Sequence, residues 1–163
     1  MRPPSVSDLV SYRARLDRLV SVATIVKASA ADLAFLEPGT TPEAFLARWR
    51  AAGVPLGIVT LGADGAIAAT RSAQLRLPGH TLQLKDPVGA GDAFMTGLLA
   101  RLWEIGAVTA DGLADLDAAG LRSALEAAQE VAAFVCRRPG AVFPWRADLE
   151  AEREAFKERT APR

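Results

Sequence analysis

Between Thr41 and Thr70 the chain reads helix, strand, tight turn, strand, and this alternation narrows the fold more than any other feature. Thr41-Pro42-Glu43 is a helix start: a hydroxyl to cap, a proline where its missing N–H costs nothing, and an acid beside the positive helix end. Phe45, Leu46 and Trp49 follow, and Gly53 stops the helix. Leu56-Gly57-Ile58-Val59-Thr60 reads as a buried strand, Ala63-Asp64-Gly65 as a tight turn, and Ala66 to Thr70 as the strand that returns beside it.

The flanking segments repeat the alternation. Ser7 is placed to cap a helix with Leu9, Tyr12, Leu16, Leu19 and Val20 on one stripe. Val22 to Val26 is a β-type run, and Ser29 with Asp32 has capping-box spacing ahead of Leu33 to Leu36. Gln74 to Leu77 and Thr81 to Leu84 are two further strand candidates. A helix opens after Gly89 with Phe94, Leu98, Leu99, Leu102 and Ile105 as its apolar positions, and Gly106 ends it. A second long helix carries Leu121, Leu125, Ala128, Val131, Ala132 and Val135 on one face, and Ala147 to Lys157 forms a charged peripheral helix. The expectation is an α/β domain over residues 1–163, with a mostly parallel sheet flanked by helices and a hairpin insertion.

Charge and composition remove several function classes. Lys+Arg and Asp+Glu are both 19, so bulk charge offers no nucleic-acid surface. No apolar run is long enough for a membrane span, and the first residues resemble no secretory signal. Cys136 is the only cysteine, which excludes an internal disulfide and suits a cytoplasmic protein. His80 is the only histidine and follows the turn pair Pro78-Gly79, so it reads as a solvated turn residue and not as part of a multi-histidine metal site.

The chemistry concentrates in Lys85-Asp86-Pro87-Val88-Gly89-Ala90-Gly91-Asp92-Ala93-Phe94. A small-residue turn runs into a helix N-terminus, where free N–H groups can face an anion. An acid in that mouth repels a phosphate, so Asp92 is out of place in a site that only binds one. It belongs there if it takes a proton from an attacking hydroxyl while the amides of Gly89, Ala90 and Gly91 stabilise the transferring phosphoryl group. By spacing alone the same residues read equally as a tight turn with Asp92 capping the helix. A dinucleotide site needs a third glycine where Phe94 stands, and the Gly-Lys-Ser/Thr of a P-loop is absent.

Asp86 to Phe94 resembles the C-terminal signature of the ribokinase-like (PfkB-type) carbohydrate kinases, and three ordered segments support the resemblance. Val59 to Gly65 is similar to the family's nucleotide-binding strand and turn, Lys27 to Leu36 to a segment of its fructokinase-like members, and Arg138-Pro139-Gly140-Ala141 to its C-terminal loop. Ser29 stands where many relatives carry Asn, and Pro87 where Thr is commoner.

The resemblance implies a ribokinase-like fold and ATP-dependent phosphotransfer to a hydroxyl of fructose or a related sugar. It implies Asp92 as the base, with Gly89, Ala90 and Gly91 as the anion hole. Thr60, Gly62 and Gly65 would line the nucleotide, and Ala128 would lie under the adenine. Asp32 would act on Mg²⁺ through water, and Asp86 with carbonyls near Val88, Val135, Arg138 and Gly140 would form a K⁺ site.

The resemblance begins in the middle of the family pattern. The expectation is therefore a C-terminal portion, carrying the nucleotide and catalytic residues, without the N-terminal half and lid. ATP and a small sugar are the expected ligands, and the N-terminal half or a second copy the expected protein partner. The alternative is a non-catalytic nucleotide-binding remnant, or a half-enzyme that needs a separate N-terminal partner.

Overall fold

Strand β2 (Leu56–Thr60) is the centre around which the rest is laid down, because four of its five residues are buried. It pairs in parallel with β1 (Ile25–Ser29), Ile25 opposite Leu56 and Ser29 opposite Thr60. On its other side it pairs antiparallel with β3 (Ala66–Ala69), which pairs antiparallel with β4 (Gln74–Leu77). The computed structural model describes residues 8–160, with side chains described as far as residue 155, and within them the sheet order is β1-β2-β3-β4. The sheet is thus mixed, one parallel pair followed by the antiparallel hairpin extension.

Helices cover both faces. α2 (Ala30–Leu36) and α3 (Pro42–Ala51) connect β1 to β2 and pack Leu33, Phe45, Leu46 and Trp49 against Val59, Ile67 and Ala69. α4 (Ala90–Glu104) and α6 (Ala118–Cys136) cover the other face, where Phe94, Leu98, Leu121 and Leu125 meet Leu56, Ile58, Ala66 and Ala68. The residues of β3 alternate between these two cores and are all buried. Its three alanines let the layers approach closely, as two-sided burial of a strand requires.

The local signals act as their chemistry dictates. The Ser29 hydroxyl accepts from the Asp32 amide at 3.1 Å, and the Asp32 carboxylate accepts from the Ser29 amide at 3.0 Å, closing the capping box. Thr41 caps α3 by accepting from Ala44. α4 crosses α6 where residue 97 is glycine; a Cβ there would sit 2.6 Å from the Ala127 carbonyl oxygen and 3.0 Å from the Ala128 Cα.

Several expectations need correction. Ser7 lies outside the described residues; Asp8 caps α1 (Leu9–Val20), accepting from the Val10 and Ser11 amides. No residue of α1 is fully buried, and Leu19, placed on its apolar stripe, is exposed. The run at Val22 does not begin a strand, because the Val22 and Ala23 amides turn back to the carbonyls of Leu19 and Val20. Thr81 to Leu84 is no strand either. After Pro78-Gly79 the chain leaves the sheet edge, and the amides of Lys85 and Asp86 both reach the Cys136 carbonyl at the end of α6. Leu99 and Ile105 point outward from α4. A short helix, α5 (Ala110–Ala114), capped by Thr109, was not expected from the sequence. α7 (Arg146–Thr160) is peripheral as its charge suggested, and Leu149 packs against Ala93, Val131 and Val135. No helix among the described residues is long and apolar enough to cross a membrane.

Candidate active site

The turn before α4 is shaped by two residues. Gly89 is the N-cap with φ 81°, a left-handed conformation that a side chain disfavours. The carboxylate of Asp86 accepts from the Val88 amide at 2.9 Å and from the Gly140 amide at 2.9 Å, so it ties this turn to the loop after α6. Those two amides hold the Asp86 carboxyl below the ordinary aspartate range. Ala141 and Phe143 back the turn, with the Ala141 Cβ 3.0 Å from where a Cβ on Gly89 would lie.

Asp92 sits in the first turn of α4 and is exposed. Its carbonyl accepts from the Thr96 hydroxyl at 2.9 Å, and its carboxylate has no hydrogen-bond or ion-pair partner among the described residues. Asp92 therefore does not cap the helix with its side chain. Gly91 and Asp92 hold positions whose N–H groups have no carbonyl within the helix to bond. The Ala90 amide is engaged, donating to the Pro87 carbonyl at 3.1 Å. As it stands, this mouth offers an anion the Gly91 and Asp92 amides more readily than that of Ala90.

The parallel strands approach this turn through the side chain of Lys27 in β1. In open α/β sheets ligands bind beyond the C-terminal ends of the parallel strands. Ser29 and Thr60 end β1 and β2 side by side. Asp32 is fixed there by Ser29, whose hydroxyl donates to the Asp32 carboxylate at 2.6 Å. Partial burial pushes the Asp32 pKa up, but the Ser29 hydrogen bonds and the Lys27 charge outweigh it and hold the carboxyl below its usual range. The ammonium of Lys27 ends 3.1 Å from where a Cβ on Gly91 would lie, which joins β1 to the start of α4.

Gly62 and Gly65 frame a single 3₁₀ turn directly after β2. Gly65 has φ 94°, and a Cβ there would strike the Leu77 carbonyl oxygen and lie 2.5 Å from the Gly79 nitrogen. A Cβ on Gly79 would in turn strike the Ala63 carbonyl oxygen. The two turns interlock, each requiring the other to lack a side chain. Gly79 was legible only as a turn residue, since its partner lies far along the chain. His80, just beyond, is exposed, as expected.

Two groups of expected residues fare differently. Ala128 is fully buried where α4 crosses α6 at Gly97. Helix packing accounts for the alanine. Asp86, Val88 and Gly140 do come together. The Val135 carbonyl accepts from the Arg138 amide and the Gly140 carbonyl from the Val142 amide. The Val135 side chain is in the core, and the Arg138 guanidinium is bonded to the Phe134 carbonyl and Glu152. A cation there would compete for Asp86, which already serves as a loop clamp, and for the engaged Val135 and Gly140 carbonyls. Asp32 fits a magnesium ion better. One of its oxygens takes both Ser29 bonds, leaving the other for an ion that keeps most of its water. No cluster of three or more metal-binding side chains exists among the described residues.

The model of the pfkB family carbohydrate kinases matches residues 1–148. A fructokinase of Rhizobium leguminosarum bv. trifolii is 34% identical over 123 residues, which are 76% of this chain and 38% of that protein. The structure of a Xylella fastidiosa fructokinase with bound ATP superposes with a TM-score of 0.78 at 26% identity, over 96% of this chain and 50% of the other. A Vibrio cholerae O395 fructokinase structure containing fructose, ADP and calcium ion gives 0.68 at 34% identity, over 85% and 44%. The chain thus spans half or less of the length of these relatives.

Proposed function

The chain belongs to the pfkB family of carbohydrate kinases, and on that premise we propose that it carries the phosphotransfer centre of an ATP-dependent sugar kinase acting on fructose or a related sugar. The observation that carries this reading is the free, exposed carboxylate of Asp92 beside the Gly89–Gly91 turn. A structural cap would bond an amide, and this carboxylate does not. Placed in the first turn of α4, it can accept the proton of a sugar hydroxyl as that oxygen attacks the terminal phosphorus of ATP. One P–O bond forms to the sugar, the bond to the bridging oxygen breaks, and ADP leaves with the electron pair. The amides of Gly91 and Asp92 meet the charge on the phosphoryl oxygens without reorganising. The Leu61–Gly65 turn and Thr60 line the nucleotide side. Asp32 would hold a Mg²⁺ ion through water, and the ion would supply charge neutralisation of the phosphates.

The test is ADP release by the chain with MgATP and a panel of hexoses, comparing wild type with Asp92→Ala. Loss of a general base costs about 10²–10⁴-fold in turnover. Undiminished sugar-dependent release by the variant removes Asp92 from the mechanism.

A second reading is supported by the sheet. β1 has no strand on its outer side among the described residues, and unpaired edges invite another strand. On this reading the chain binds nucleotide but turns over only when a complementary polypeptide orients the acceptor. Such orientation is worth on the order of 7–11 kcal/mol of barrier. Running the same assay with and without the N-terminal half of a fructokinase relative separates the two.

A further inference from the structure

The end of α6 and the loop after it hold the turn before α4 at three points. The Cys136 carbonyl accepts from the amides of Lys85 and Asp86, at 2.9 and 3.3 Å. The Gly140 amide donates to the Asp86 carboxylate, and Ala141 lies against Gly89. The turn can be no better placed than the helix end that templates it. A helix leaves its last four carbonyls without a partner of its own, and here each is satisfied. Ala133 accepts from the Arg137 amide, Val135 from the Arg138 amide and Cys136 from the incoming segment. The Phe134 carbonyl is met by a side chain. The Arg138 guanidinium donates to it at 2.8 Å and lies over the Phe134 ring, 3.3 Å from the centroid.

That guanidinium is fixed in turn by Glu152 of α7. One oxygen of its carboxylate accepts from Arg138 at 2.7 Å, and the other accepts from Arg137. All three side chains are partly buried. Two neighbouring arginines on one carboxylate are more than the docking of α7 requires, since Leu149, Arg153 on Glu130 and Arg146 on Glu104 already hold that helix.

We propose that Glu152 is a positioning residue of the phosphotransfer centre: by keeping the Arg138 guanidinium on the Phe134 carbonyl it fixes the end of α6, and through that end the Lys85–Gly89 segment that starts α4. The inference rests on the kinase reading of this turn and adds to it a residue of the peripheral helix that acts only through its neighbours. The flat fork of arginine is needed at position 138. A lysine could pair with Glu152 but could not also lie on the ring and bond the carbonyl.

The test compares wild type with Glu152→Gln, Arg138→Lys and a control, Glu130→Gln, which removes the neighbouring tie of α7 to Arg153 and leaves the end of α6 alone. Amide hydrogen exchange of the ligand-free full chain, resolved by NMR, reads the Lys85, Asp86 and Gly140 amides. Calorimetry with ATP reads the site, and a thermal melt reads global stability. The expected result is exchange at those three amides faster by about tenfold or more in Glu152→Gln and Arg138→Lys, the worth of one charge-assisted hydrogen bond, with ATP binding weakened by about three- to tenfold. Glu130→Gln should stay within about twofold of wild type in both, even where its melting temperature falls as far. Equal exchange in Glu152→Gln and Glu130→Gln makes Glu152 an ordinary tie of α7 and overturns the proposal, leaving the kinase reading intact. Wild-type exchange in Arg138→Lys overturns the route through the guanidinium, and faster exchange with unchanged ATP affinity overturns the positioning role. Absence of ATP binding by wild type overturns the kinase reading and the proposal together.

Discussion

Replacing Gly65 with alanine should damage the protein far more than the same change three residues earlier. Gly65 adopts φ 94° and ψ −130°, a region essentially reserved for glycine. Forcing alanine there costs about 1–3 kcal/mol of backbone strain. The new methyl would also meet backbone atoms that cannot swing aside, with the Gly79 nitrogen at 2.5 Å and the Pro78 carbonyl carbon at 2.6 Å. Relieving that overlap means prising the turn after β2 from the end of β4, at roughly 1–3 kcal/mol more, the usual range for overpacking. The sum, about 2–6 kcal/mol, is a large share of a typical domain stability of about 5–15 kcal/mol. Gly62 is the internal control, because it also has a positive φ, 62°, but nothing lies within 4 Å of an added Cβ. Its substitution should cost only about 1–2 kcal/mol. Thermal and urea melts followed by circular dichroism read both, at about 2–4 °C per kcal/mol for a domain of this size. If the two variants melt together, the interlock of the Gly65 and Gly79 turns contributes nothing and the reasoning is wrong.

Three further outcomes follow from the geometry. Asp32 has a folded pKa below its unfolded value, so its capping-box stabilisation is complete above the ordinary aspartate range and is lost as pH falls through the lower folded value. Asp32→Asn should therefore flatten the acid limb of a melting-temperature profile, and an unchanged limb counts against the assignment. Ser29→Ala removes the hydroxyl partner of the same box and should cost about 1 kcal/mol in a urea titration. α7 is tied to α4 and α6 by Arg146–Glu104, Arg137–Glu152, Arg138–Glu152 and Arg153–Glu130, with Leu149 as its apolar contact. Because exposed pairs are screened by salt, limited proteolysis within α7 should accelerate as ionic strength rises from about 0.01 to 1 M.

What the sequence made legible is what depends on neighbours along the chain. The Ser29–Asp32 box, the Thr41-Pro42 start, the buried run of β2 and the glycine turn before α4 are each complete within about five residues, and each formed as read. What stayed hidden depends on residues far apart. Thr81 to Leu84 has a strand-like composition but no strand beside it, because β4 is already the sheet edge and Cys136 takes the next amides. The small size of Ala128 serves the crossing at Gly97, a contact between two helices far apart in the chain. Leu99 keeps helical period with Leu98 and Leu102 but lies outside the arc that faces the sheet. Lys27 opens the segment that resembles the fructokinase-like members, but that its ammonium reaches Gly91 is visible only in the fold.

The central claim separates binding from turnover at a single carboxylate. Measuring ATP affinity and sugar-dependent ADP release side by side for wild type and Asp92→Asn, each with the N-terminal half of a fructokinase relative added, tests it most directly. The account predicts nucleotide affinity unchanged or slightly higher in the variant, since a negative charge has left the mouth of the anion site, with turnover down by about 10²–10⁴-fold. Retained turnover, or an equal fall in affinity and in rate, would contradict it.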